Sequence, residues 1–138
     1  MVTDRALLDK LGFRPDAYDP KCPSRVVLDR IGDKWTVLVV GALENGPMRF
    51  TALRQRVGGV APKVLTETLR ALERDGVVTR RVYAAVPPRV EYRLTPLGLS
   101  LREPIEAIRL WAERHVGDVL DARARFEDAA AAAADAEE

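Results

Sequence analysis

The chain has 138 residues, long enough for one domain with a buried core and too short for two large ones. Its 47% apolar and 31% charged content is that of a globular protein, and no segment reaches the about 20 uninterrupted apolar residues that a membrane-spanning helix needs. The formal net charge of +1 conceals a division: residues 49–95 carry ten basic and four acidic side chains, net +6, whereas residues 96–138 carry five and ten, net −5.

Residues 1–11 predict a short helix, with Leu7, Leu8 and Leu11 at helical spacing and Gly12 as its stop. Residues 16–20 read as a turn-rich connection. Pro23 then suits a first helical position, and Val26, Val27 and Ile31 give an apolar stripe that ends at Gly32. A second helix is expected over residues 33–44, with Trp35, Leu38, Val39 and Leu43 facing the core and Asn45-Gly46-Pro47 terminating it. Phe50, Leu53 and Val57 mark a third over residues 49–57, ahead of a Gly58-Gly59 turn. The fourth begins near Pro62, where a missing amide hydrogen costs nothing, and runs to Asp75 before Gly76 closes it. Its inward stripe is Leu65, Leu69 and Leu72; Lys63, Thr66, Glu67, Arg70 and Arg74 share the outward side.

Residues 77–83, rich in β-branched side chains, and residues 89–94, where Val90, Tyr92 and Leu94 alternate with charged neighbours, predict the two strands of a hairpin. The connection between them is stiffened by Pro87-Pro88. Thr95 caps a final helix with Pro96 at its first position, and Leu97, Leu101, Ile105, Ile108 and Trp111 carry it towards residue 120, with a kink expected at Pro104. The chain thus divides into an N-terminal extension over 1–21, a domain over 22–120, and an acidic, alanine-rich tail over 121–138. That tail has no large apolar run to bury and is expected to be frayed or disordered.

Three short helices, a basic amphipathic helix, an arginine-bearing hairpin and a terminal helix make a mainly α chain with a small β-hairpin. This is the order of a winged helix-turn-helix with N- and C-terminal dimerisation helices. A helix about 10 to 12 Å across fits the major groove of B-form DNA, and concentrated positive charge suits phosphates. Lys63, Thr66, Glu67 and Arg70 are therefore the candidates for base edges, with Thr66 and Arg70 foremost. Arg74, Arg49, Arg54 and Arg56 are candidates for phosphates, and Arg89 at the wing for the minor groove.

The same residues carry a family resemblance. Cys22-Pro23 followed by Ile31-Gly32-Asp33-Lys34-Trp35-Thr36 resembles the opening of HxlR-type regulators, and Gly46-Pro47-Met48-Arg49-Phe50 with Pro62-Lys63-Val64-Leu65-Thr66 resembles their helix-turn-helix. Val86-Pro87-Pro88-Arg89-Val90-Glu91-Tyr92 and Leu94-Thr95-Pro96-Leu97-Gly98 are similar to the family's wing and the start of its dimerisation helix. The resemblance covers about residues 22–116. It implies a bacterial, MarR-related regulator that binds double-stranded DNA as a homodimer, with an oxidant or small molecule as a possible effector.

Leu101, Ile105, Ile108 and Trp111 are the candidate dimerisation residues, since the last helix presents more apolar surface than one small core covers. A two-fold dimer would set its recognition helices about 34 Å apart, on an inverted repeat. Cys22, the only cysteine, precludes an intrachain disulfide; it lies at a helix start near Lys21 and Arg25, which favours a thiolate and makes it a redox-sensing candidate. Its other reading is a small buried apolar residue. His115, the only histidine, has no second soft ligand, so neither a metal nor a cofactor is expected. An enzyme is not expected either, for there is no Ser-His-Asp ordering and no phosphate-binding glycine loop. A cytoplasmic location follows from the absence of a secretory signal. The rival function is a winged helix that docks an acidic protein.

Overall fold

A computed structural model describes residue 12 and residues 14–137; the helix expected over residues 1–11 lies outside them. Helix α1 (Ser24–Ile31) follows Pro23 and stops at Gly32, whose amide donates to the Leu28 carbonyl at 2.9 Å. The Asp33 carboxylate then accepts from the Trp35 amide at 3.3 Å and opens α2 (Lys34–Leu43). Helix α2 is the centre of the fold, packed against α1, α3, α4 and α6 and against the sheet. Being covered on several sides, it buries Thr36, Val37, Val39, Val40 and Leu43, a wider face than a single stripe, while Leu38 emerges at the surface contrary to expectation.

A two-residue strand β1 (Met48–Arg49) leads into α3 (Phe50–Arg56), and a turn leads to α4 (Pro62–Arg74). The inward stripe of α4 is Leu65, Leu69 and Leu72, as expected, with Thr68 beside them. Gly76 adopts φ +76°, a conformation that costs a side-chain-bearing residue energy, and turns the chain into β2 (Val78–Tyr83). Strand β3 (Arg89–Leu94) returns antiparallel, with Arg80 opposite Tyr92 and Arg81 opposite Glu91. The sheet has three strands in the order β1-β3-β2 rather than the two expected, because Met48 and Arg49 pair with Tyr92 and Glu91. A strand of two residues has no period to read.

The Thr95 hydroxyl accepts from the Gly98 amide at 3.1 Å and caps α5 (Pro96–Ser100). The terminal helix breaks after Ser100 and resumes as α6 (Arg102–Ala136). Pro104 explains where: it has no amide hydrogen for the Ser100 carbonyl and its ring crowds that group, so the interruption falls one turn before the proline. Two expectations for this helix change. Ile105 is only 2% exposed and belongs to its own chain's core with Val39, Leu43 and Leu53, so it is not a free dimerisation residue. Residues 121–136, expected to be frayed or disordered, continue α6, whose 35 residues span about 52 Å at 1.5 Å per residue. Alanine's helix propensity accounts for this although the tail buries nothing. No helix among the described residues is long and apolar enough to cross a membrane.

Candidate nucleic-acid interface

The outward face of α4 is open along its length: Lys63, Thr66, Glu67, Arg70 and Arg74 are all exposed. The burial of Leu65, Leu69 and Leu72 against α2 and the sheet fixes which way this face points. Among the described residues, Lys63, Arg70, Arg49 and Arg54 enter no ion pair, so their charge is available to phosphates. Arg74 is partly neutralised by Asp75, at 3.7 Å. The Thr66 hydroxyl donates to the Pro62 carbonyl at 2.9 Å, which leaves its methyl group and oxygen lone pairs for a base edge.

The sheet adds residues that sequence reasoning missed. Arg80 and Tyr92, cross-strand partners on one face, line a cleft of about 330 Å³ with Thr66, Arg70 and Glu73 of α4. On the other face, Arg49, Glu91 and Arg81 form a row across the three strands. The Arg81 and Arg89 guanidinium carbons lie 4.8 and 4.7 Å from the centroid of the Tyr83 ring. The strict alternation of β2 could have assigned Arg80 to the helix side and Arg81 to the outer side, once Val78 was known to be buried.

Two expected phosphate or groove contacts are placed differently. Arg89 Nε is 3.7 Å from Glu91 Oε1 and stacks on Tyr83, so it sits at the base of the wing, whose tip over residues 84–88 is uncharged. Arg56 lines a cleft between α2 and α6 together with Glu44, Glu106 and the Arg109–Glu113 pair, a cleft to which α4 contributes no residue. Arg49 lies beside the wing, sharing a cleft with Thr51, Pro87, Pro88 and Arg89.

This is helix-turn-helix geometry with a wing, and the sequence profile of the HxlR-like helix-turn-helix family matches residues 30–119. The chain belongs to the HxlR-like family. It is 46% identical over 106 residues to the uncharacterized HTH-type transcriptional regulator YtfH of Escherichia coli (strain K12), covering 77% of this chain and 84% of that protein. The solved structure of the transcriptional regulator ytfH from Salmonella typhimurium matches with a TM-score of 0.73 and 42% identity, over 80% of this chain and 98% of that one. The redox regulator HypR in its reduced form matches with a TM-score of 0.64 and 38% identity, over 72% and 98% of the two chains. This HxlR-like chain is accordingly a transcriptional regulator with a helix-turn-helix domain, a class that is not enzymatic.

Cys22 of this HxlR-like regulator is 8% exposed and lies just before α1. Its Sγ accepts from the Ser24 hydroxyl at 3.1 Å and from the Asp16 amide at 3.4 Å. These hydrogen bonds, that of the Ser24 hydroxyl foremost, hold the thiol below its ordinary pKa against the opposing effects of burial and of the Asp19 carboxylate. The cause differs from the one expected, for the Arg25 guanidinium is turned to the Ala17 and Tyr18 carbonyls.

Proposed function

We propose that two copies of this chain bind an inverted repeat in double-stranded DNA and repress transcription by occupying a promoter. The observation that carries the reading is the open face of α4, whose Lys63 and Arg70 enter no ion pair among the described residues and whose Arg70 shares a cleft with Arg80 of the sheet. In this reading Thr66, Glu67 and Arg70 meet base edges, while Arg49, Arg54, Arg74 and the Arg81–Tyr83–Arg89 cluster meet phosphates. Pairing of chains is supported by α6, where Ile108, Trp111, Val119 and Leu120 are exposed, Trp111 to 58%. The uncharged wing tip and the basic row behind it support backbone contact rather than insertion of Arg89 into the minor groove.

The test is fluorescence anisotropy of the purified protein on the duplex upstream of its own gene and on a scrambled duplex, at 50 and 200 mM salt. Specific binding that weakens about 10³-fold between the two salts, for some six neutralised phosphates, is expected. Equal, weak binding to both duplexes would move the reading to docking of an acidic protein. Repression is checked by a reporter, whose expression should rise when the gene is deleted.

Cys22 as a redox switch is a second reading, favoured by the hydrogen bonds from Ser24 and Asp16 that lower its thiol pKa. HypR, among the similar structures, is a redox regulator solved in both oxidised and reduced forms. Diamide would take two hydrogens from two Cys22 thiols, becoming the hydrazine as one S–S bond forms between chains. Release of DNA by diamide that survives Cys22→Ser would exclude this role.

A further inference from the structure

A cavity of about 310 Å³ lies where α1, α2, the end of α4 and the α5–α6 joint meet. Its walls are apolar: Val27, Ile31, Leu72, Val77, Leu97 and Leu101. Its polar atoms are few and unusual. Thr36 is 0% exposed, yet its hydroxyl has no hydrogen-bond partner, and Arg30 Nε is likewise buried without one. Two of the three such side-chain atoms among the described residues therefore belong to residues lining this one cavity. Native interiors rarely leave a hydroxyl unpaired, because its desolvation is then uncompensated.

We infer that this cavity binds a small, uncharged, mostly apolar molecule carrying a carbonyl oxygen. An acceptor is the group that could pair with either orphan, since a guanidinium nitrogen only donates whereas a hydroxyl donates or accepts. An anion is disfavoured because the Asp75 carboxylate, also in the lining, stands 3.7 Å from Arg30 Nε and would repel it there. The volume accommodates a single ring with a short side chain, and the apolar walls match the ordinary make-up of a small-molecule site. The position gives the ligand leverage: Leu72 and Asp75 end the recognition helix, while Leu97 and Leu101 begin the segment that leads into α6. A ligand there binds differently to any two arrangements of α4 and α6, which is the requirement for coupling to DNA affinity.

Acetophenone, ethylbenzene and benzoate share a ring of similar size and differ in the polar group, so they probe the site directly. The full chain, labelled on Leu and Val methyls, is titrated with each by NMR in the absence of DNA, so that failure here leaves the DNA-binding reading untouched. Acetophenone is expected to shift the methyls of Val27, Leu72, Leu97 and Leu101 and to bind at least fivefold more tightly than the other two. Thr36→Val, nearly isosteric, should weaken acetophenone about five- to tenfold and leave ethylbenzene unchanged. Should that variant not fold, Val27→Trp fills the cavity from a position 55% exposed and should abolish the shifts. Absence of shifts with acetophenone, or equal affinity for ethylbenzene, overturns the inference. So do shifts at these methyls that follow protein concentration alone, which would mean that another chain fills the cavity.

Discussion

Replacing Gly98 by alanine tests whether the joint between the wing and the terminal helices is as tight as the geometry makes it. A Cβ on Gly98 would collide with the backbone carbonyl of Val77 and would stand 3.1 Å from Leu94 Cδ2. The same Val77 carbonyl accepts from the Thr95 amide at 3.0 Å, and the Thr95 hydroxyl donates chiefly to the Gly76 carbonyl at 2.5 Å, with Val77 O at 3.2 Å, so α5 cannot retreat without losing these bonds. Overpacking of this kind costs about 1–3 kcal/mol and each lost hydrogen bond about 1 kcal/mol, offset by about 1 kcal/mol for alanine over glycine in a helix. The net loss expected is about 2–4 kcal/mol, a large part of the ~5–15 kcal/mol that stabilises a typical domain. Urea unfolding followed by tryptophan fluorescence, at one protein concentration because association would add to stability, measures it. Gly117→Ala on α6, where nothing lies within 4 Å of the added methyl, is the control and should be neutral or stabilising by about 1 kcal/mol. A Gly98→Ala midpoint equal to or above wild type, with an unchanged slope, would refute the argument.

Arg80→Ala should weaken operator binding by about tenfold and lower the salt dependence, while a substitution at Arg56, which stands among glutamates, should leave both within twofold; anisotropy on the same duplex compares them. Ile105→Ala, which removes a core side chain, should cost about 2–5 kcal/mol of stability in urea, whereas Trp111→Ala should lower the apparent mass in sedimentation while changing the monomer's core little. Ser24→Ala removes the largest influence lowering the Cys22 pKa, so the thiolate fraction at neutral pH falls and the pH profile of iodoacetamide labelling moves upward. A profile that stays in place would mean that the hydroxyl does not stabilise the thiolate.

Much of the candidate interface was legible because helices announce their faces. Leu65, Leu69 and Leu72 recur at helical spacing, so the opposite side of α4, with Lys63, Thr66, Glu67 and Arg70, followed directly. The motif Thr95-Pro96-Leu97-Gly98 marked a helix start, and the close approach of Val77 supplies the reason that glycine stands there. Arg80 was not legible, because its meaning depends on which face of β2 packs against α4. Nor was Arg56, whose residue type suits phosphate but whose position on α3 turns it to the acidic side of α6.

Local pattern was sufficient for the order of elements, the direction of the outward face of α4 and the membership of the HxlR-like family, since each depends on spacing within a dozen residues. Tertiary packing decided the third strand, the burial of Ile105, the hydrogen bonds on Cys22 and the cavity around Thr36. Each of these joins residues distant in the chain or turned towards one another by packing, and no periodicity encodes which side chains will meet across that space.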